Sequence, residues 1–233
     1  MVPITAHLRV RTLEQAWLGI MREIMERGRE YRKDGGSRAG LLRKALDFCT
    51  VEITHPETRP LVPLAKPGCL SPCTEDMAEE YLREYLYNTN PPAEKEHYTY
   101  AQYLTPALHA TAAHFAKNGL FVQQAVMPVG DPLDVAKYLE DREVSIPCLR
   151  LIDCRIIRDR TGSNRLCYYI YFRAWNHFGA FPLNMAGIQL LKEIHAVLIT
   201  EKSGQDVAPG PTFAMSKDLH INDLEWDSAR AWL

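Results

Sequence analysis

Leu13, Ala16, Trp17, Ile20, Met21 and Ile24 recur at the three-and-four spacing of one helix face. Thr12 opens that run with a T-x-x-Q capping box to Gln15, and Gly28 stops it. The pattern predicts a helix over 12–28 with its stripe turned to the core. The next stretch, REYRKDGGSRAG, is polar and glycine-bearing and is expected to be a loop. ALDFCTVEI (45–53) switches to alternation among strand formers. Residues 55–72 carry five prolines and read as a long surface loop. EDMAEEYLREYL (75–86) predicts a helix, NTNPPAEKEH (88–97) a break, and TPALHATAAHFAKNG (105–119) a helix with Pro106 at its first position. FVQQAVM (121–127) reads as a strand, followed by a loop and a short helix. SIPCLRLIDCRIIRD (145–159) is a long strand, and RLCYYIYFRA (165–174) returns from the turn RTGSN as a hairpin. Pro182 precedes an apolar helix over 183–200, and a last strand lies near TFAMSKDLHIN (212–222), before a short acidic and aromatic tail.

No repeat, low-complexity segment or linker interrupts this order, so residues 1–233 are expected to form one domain. Its class is α+β: one mixed sheet with helices packed on one side. Composition adds little, with 46% apolar and 24% charged residues. Net charge changes more. At −2 there is no basic footprint for a nucleic acid, although a few arginines suffice to hold one small anion. No apolar run approaches a membrane span, and MVPITAHLRV is no secretory signal, which predicts a cytoplasmic protein with no membrane partner. Cysteines 49, 69, 73, 148, 154 and 167 are then expected as free thiols. CLSPC (69–73) lacks a second pair and a histidine at zinc spacing, so no metal site is expected.

Five segments, taken in order, resemble thymidylate synthases, most closely the short archaeal-type members, from about residue 11 to the C-terminus. EEYLREYLYNTN resembles the helix of the catalytic glutamate, which implies that role for Glu80. YTYAQYL resembles the active-site tyrosine segment, with Tyr100 in place. IPCLRLIDCRI resembles the nucleophile strand, with Cys148 after its proline. YFRAWNHFGAFPLNMAGIQLL resembles the segment in which a phosphate-binding arginine precedes a base-reading asparagine by eleven residues, here Arg173 and Asn184. KDLHIND resembles the ribose-binding strand, with His220 in place, and Arg38 resembles the arginine of the family's phosphate loop, with the nearby Arg32 as a competing candidate. The resemblance implies a thymidylate synthase-like fold whose sheet face forms a homodimer interface. It also implies a pyrimidine nucleoside monophosphate as substrate and methylenetetrahydrofolate as one-carbon donor. The residue types suit that chemistry. A thiolate adding to ring carbon 6 turns carbon 5 into a nucleophile, a nearby arginine steadies thiolate and phosphate, and a glutamate moves protons.

Departures from the family cluster around sugar, phosphate and base. The paired phosphate arginines are replaced by Gln123 and Gln124, the serine after Arg173 by Ala174, and a ribose-strand tyrosine by Asn222. Ala174, His220 and Asn222 would then line a ribose with its extra 2′-hydroxyl. The family's Asp is Asn176, and a Gln of the nucleophile strand is Asp153, placing both among candidate base-binding residues. A carboxamide at 184 pairs with uracil or, turned over, with cytosine, and Asp153 is a candidate for setting its orientation. NPPAEKEH lacks the tryptophan that shields the methylene in bacterial methylases, although Trp175 could compensate from the facing side. A less shielded methylene would be quenched by water. The leading expectation is therefore hydroxymethylation of CMP, resembling the CMP hydroxymethylases of nucleoside-antibiotic pathways. A dUMP-methylating thymidylate synthase and a non-catalytic nucleotide-binding module are the alternatives.

Overall fold

The computed structural model describes residues 2–35, 39–88, 98–140 and 146–233. The chain opens with β1 (Thr5–Val10), α1 (Leu13–Arg27), β2 (Arg29–Arg32) and β3 (Leu42–Ile53). After a long proline-bearing connection come α2 (Glu75–Tyr81), a π-helical turn (Leu82–Leu86) and α3 (Ala101–Asn118). Next are β4 (Ala125–Pro128), α4 (Asp134–Glu140), β5 (Leu149–Arg158), β6 (Asn164–Phe172) and β7 (Trp175–Asn176). The chain closes with α5 (Ala180–Ser203), β8 (Val207–Asn222), a 3₁₀ turn (Asp223–Glu225) and α6 (Trp226–Trp232). Among the described residues the strands form one open mixed sheet in the order β1-β3-β8-β6-β5-β4, with β2 paired to β3 and β7 to β8. Pairings of β1 with β3 and of β6 with β8 are parallel, whereas β3–β8 and β5–β6 are antiparallel.

α1 follows its pattern closely. Thr12 caps it by accepting from the Gln15 amide, and the six residues of the apolar stripe are its buried ones. Gln15 completes the cap one residue early, accepting from the Arg11 amide rather than from Thr12. Arg29–Arg32 is a strand, not a loop, because β3 begins at Leu42 and offers its early residues as a ladder for β2. Pro106 lies in the second turn of α3 rather than at its start, since residues 101–105 are already helical. Pro182 likewise sits inside the first turn of α5, where its missing amide N–H costs nothing. Gln123 and Gln124 lie exposed in the turn before β4, which starts only at Ala125. β8 begins five residues earlier than expected, extending its parallel pairing along β6.

Alternation along the strands shows which face the helices cover. Ala214 on β8 and Ile170 on β6 point into the core. Met215 and Phe48 on the opposite face are exposed, and Tyr169 stacks on Phe213 there, ring centroids 4.8 Å apart. All six cysteines are free thiols. Among the described residues, no helix is long and apolar enough to cross a membrane.

Candidate active site

Sheet topology gathers distant segments at one end of the molecule. The end of β6, the start of antiparallel β5, the end of β8 and the start of β3 all meet there. The first turn of α5 and the tyrosines of α2 and the π-turn close a cleft of about 700 Å³ over them. Ligand pockets are typically about 300–1,000 Å³. Cys148, Arg173, Ala174, Trp175, Asn176, Asn184, His220 and Tyr100 line it.

Cys148 is half-buried and fixed from behind. Its carbonyl accepts from the Arg173 amide at 2.9 Å, and the next amide, Leu149, donates to the Tyr100 hydroxyl at 3.3 Å. The Arg173 guanidinium bonds backward as well as facing the cleft, with Nε donating to the Pro147 carbonyl (3.1 Å) and Nη2 to that of Ile146 (2.7 Å). Burial and the neighbouring Cys148 push the Tyr100 phenol well above its ordinary pKa, so it stays protonated.

Trp175 sets the orientation of Asn184. Its indole Nε1–H donates to Asn184 Oδ1 at 2.9 Å, which fixes the carbonyl end of the carboxamide. Phe172 stacks on the indole at 3.8 Å and Phe181 packs at 4.6 Å, so the donor cannot swing away. The Tyr81 hydroxyl lies beside Asn184, outside hydrogen-bonding geometry, and is buried without a partner. Buried polar groups rarely stay unpaired, so such an atom in a cleft is a place for a ligand's polar group. Tyr81, Tyr85, Tyr98 and Tyr100 form a contiguous aromatic wall, with Tyr81 stacked on Tyr85 at 5.4 Å and Tyr85 edge-on to Tyr100 at 4.9 Å.

Asn176 is consumed by the protein. Its Oδ1 accepts from the Gly179 and Ala180 amides at the head of α5, and its Nδ2 donates to Glu225 Oε2 at 2.7 Å. Asn222 sits behind the cleft wall, 2% exposed, outside the lining. Its Oδ1 accepts from Arg43 Nε at 3.1 Å, while its Nδ2 and backbone amide both donate to Glu225 Oε2 at 3.0 Å. Asn222 therefore orients one cation and one carboxylate that face the cleft.

Asp218 joins these elements. It is a non-glycine residue in left-handed backbone conformation (φ 54°), a state that persists only where its surroundings hold it. Its carboxylate takes a 2.5 Å hydrogen bond from the Tyr31 hydroxyl and lies 3.6 Å from Arg43 Nη1. Burial first, then Asp218, push the Tyr31 phenol up to about 12. His220 Nδ1 lies 3.0 Å from the Asp218 carbonyl, which can only accept, so Nδ1 carries the proton. Burial lowers the His220 pKa, and the neutral ring leaves Nε2 as an acceptor. Lys33 also lines the cleft, and its ammonium is held below the usual lysine value by burial and then by Arg43 and Arg173.

Other expected positions fall elsewhere. Glu80 is exposed on α2 and is not part of the lining; among the described residues the carboxylates that line the cleft are Asp218 and Glu225. Asp153 alternates to the sheet face that the helices leave uncovered, opposite Tyr169, so Trp175 rather than Asp153 orients Asn184. Arg38 and the NPPAEKEH segment lie outside the described residues. Lys33, Arg43, Asp218, Glu225, Tyr81 and Tyr85 are additional lining residues. Tyr81 follows Glu80 directly, and Asp218 precedes His220 by two, so adjacency to a motif was their only sequence signal.

Two buried histidines outside the cleft serve the fold. His177 Nε2 donates to the Trp17 carbonyl at 2.8 Å, and His195 bridges Thr111 and Tyr168 at 3.0 Å on each side. No protein-family model matches the chain, and no curated protein matches it.

Proposed function

We propose that the cleft binds a pyrimidine nucleoside monophosphate and transfers a one-carbon unit to ring carbon 5, with Cys148 as nucleophile and CMP as substrate. The observation that carries this reading is the meeting of Cys148, Arg173, Asn184 and His220, drawn from separate segments, in one cleft of nucleotide size. In this reading the fold is thymidylate synthase-like. The uncovered sheet face, with Phe48, Met215 and the Tyr169–Phe213 stack, then pairs with a second copy of the chain.

The Cys148 thiolate attacks ring carbon 6, forming the S–C6 bond while the C5=C6 electrons move into the ring carbonyl or imine system. Carbon 5 then attacks the one-carbon unit, and loss of the carbon 5 hydrogen as a proton expels the donor's amine, leaving an exocyclic methylene on a ring still bonded to sulfur. Asn184, held by Trp175, presents Nδ2 to the base edge. His220 Nε2 accepts from a sugar hydroxyl, and Ala174 leaves room beside it for a ribose. Glu80 would need to act from outside the lining, so the proton steps fall to carboxylates within it or to water that they order. Pro72, Tyr85 and Leu183 are apolar lining residues against which the ring of methylenetetrahydrofolate would pack. That donor, when bound, supplies a one-carbon unit at the oxidation level of formaldehyde. Attack by water on that exocyclic methylene gives the hydroxymethyl group, and the electrons return through carbon 5 to re-form the C5=C6 bond and expel the Cys148 thiolate.

A second reading, methylation of dUMP, is favoured by the position of Asp153, which removes one acceptor for a cytosine amine from the site. CMP, dCMP, UMP and dUMP tritiated at carbon 5, each supplied with methylenetetrahydrofolate, separate the readings through tritium release and product mass. Release from CMP with a hydroxymethyl product is expected, and its loss in Cys148→Ala. Methylated dUMP would establish the second reading. Release from none would leave a binding module, and release by Cys148→Ala would overturn the mechanism.

A further inference from the structure

Tyr81 ends α2 where the helix widens into the π-turn Leu82–Leu86, a geometry often found at functional positions. Its ring is held from two sides. Tyr85 stacks on it at 5.4 Å, and a Cβ on Gly187 of α5 would lie 2.6 Å from Cδ1 and 3.2 Å from Cε1. The hydroxyl is buried and has no hydrogen-bond partner among the described residues, although the residue lines the cleft. Burial first, then the neighbouring Tyr100, Tyr85 and Tyr98, push the phenol well above its ordinary pKa, so it keeps its proton. A rigid, protonated hydroxyl with no partner is suited to meet negative charge in the cleft.

Neighbouring groups decide which way it donates. An indole N–H can only donate, so Trp175 Nε1 fixes Asn184 Oδ1 as the accepting end of that carboxamide. The other end, Nδ2, can only donate, and it has no partner among the described residues. Asn184 lies beside the phenol and pulls its pKa down against burial, as a donor to the phenol oxygen does. With Nδ2 facing that oxygen, the O–H is left to point at a ligand. Catalytic hydrogen bonds of this kind tighten in the complex, and each donor in a chain polarises the next.

We infer that Tyr81 is a further catalytic residue: its O–H, the last donor in the chain Trp175–Asn184–Tyr81, stabilises the negative charge that gathers on the pyrimidine when Cys148 adds to ring carbon 6. The inference rests on the one-carbon transfer proposed above. Addition forms the S–C6 bond and moves the C5=C6 electron pair towards carbon 4. Charge then collects on ring nitrogen 3 of a cytosine, or on the carbon 4 carbonyl oxygen of a uracil. The phenol donates a hydrogen bond to that atom without giving up its proton, and the bond weakens when C5=C6 re-forms and sulfur leaves. Cys148 lies beside Tyr100, and Tyr100 and Tyr81 both pack on Tyr85, so thiol and phenol share one wall of the cleft. Asp153 and Asn176 are excluded from this role. Asp153 faces the uncovered side of the sheet, and Asn176 is spent on Glu225 and the head of α5.

Turnover and binding measured on the same variants separate this role from a structural one. Tyr81→Phe keeps the ring and removes the donor. Tritium release from CMP, or from whichever of the four labelled nucleotides the intact protein turns over, is expected to slow about a hundredfold, the scale of one lost donor aimed at developing charge. The dissociation constant of the same nucleotide, by titration calorimetry, is expected to change less than about threefold, because the interaction belongs to the transition state. Trp175→Phe is expected to slow release less, and the double variant no more than Tyr81→Phe alone, since both act through one chain. Urea unfolding midpoints identify any variant whose fold has changed. A Tyr81→Phe protein that turns over at the intact rate, or loses as much affinity as rate, would overturn the assignment; the one-carbon reading would stand if Cys148→Ala were inactive. Rate losses that multiply in the double variant would break the chain. Release from none of the four nucleotides by the intact protein would sink the one-carbon reading and this inference with it.

Discussion

Gly187 lies in the interior of α5, where a glycine ordinarily weakens a helix by about 1 kcal/mol relative to alanine. Propensity alone predicts that Gly187→Ala stabilises the protein. Packing opposes it. A Cβ at 187 would sit 2.6 Å from Tyr81 Cδ1 and 3.0 Å from Leu86 Cδ1. The Tyr81 ring cannot simply step aside, because Tyr85 stacks on its other side at 5.4 Å. Overpacking of this kind costs about 1–3 kcal/mol. The steric term therefore wins, and a net loss of about 1 kcal/mol is expected, lowering Tm by about 2–4 °C for a chain of this size. Gly19→Ala is the matched control. Its Cβ would meet only Leu8 Cδ2 at 2.8 Å, the end of a half-buried side chain that can rotate. That variant is expected to be neutral or up to about 1 kcal/mol more stable. Differential scanning calorimetry on both reads the difference directly. A Gly187→Ala protein stabilised as much as Gly19→Ala would show that α2 and α5 do not approach as closely as described. It would also remove the reason for the fixed position of Tyr81.

Acid should destabilise the fold through its buried histidines. His177 and His195 are pushed down to about 3 by burial, against an ordinary value of 6.5. The unfolded chain therefore binds the extra protons, so stability is full above about 6.5 and falls towards 3, by about 2 kcal/mol per histidine at pH 5. Urea melts at pH 7 and 5 check this, and equal stabilities would contradict it. Lys192, fully buried with Nζ donating to the Gly210 carbonyl and Thr212 Oγ1, is lowered to about 7 by burial from 10.5. Its contribution rises by about 1.4 kcal/mol per pH unit above 7; Lys192→Met should flatten the stability profile between pH 7 and 9. Trp175→Phe removes the donor that fixes Asn184 while keeping a ring against Phe172, and is expected to reduce the preference between CMP and UMP more than the affinity for phosphate.

Local pattern made the elements legible where one face decides burial. The stripe of α1 needed only its own spacing, and the β5–β6 hairpin needed only alternation around a turn. β2 was invisible because REYR is polar and becomes a strand only when the start of β3 lies alongside. The cleft divides in the same way. Cys148, Arg173, Asn184 and His220 stand in the segments that the sequence singles out, and all four line the cleft. Arg43 carries no such mark. It becomes a site residue because register sets it opposite Asn222 across β3 and β8, a pairing 179 residues apart in the chain. Asp153 shows the converse. Strand alternation puts it on the face away from the helices, and one residue of register outweighs any likeness of sequence.

Arg173 binds the one segment that carries the candidate nucleophile, its amide to the Cys148 carbonyl and its guanidinium to the carbonyls of residues 146 and 147. The same side chain turns its remaining face to the cleft. An anion drawn to that face pulls on the peptide that holds the thiol. By linkage, whatever free energy the anion lends to one placement of Cys148, that placement returns to the anion in equal measure. Ligand capture and nucleophile alignment are thus two readings of a single equilibrium. A change confined to the loop before Cys148 would be felt first as a change in affinity at the opposite end of the ligand.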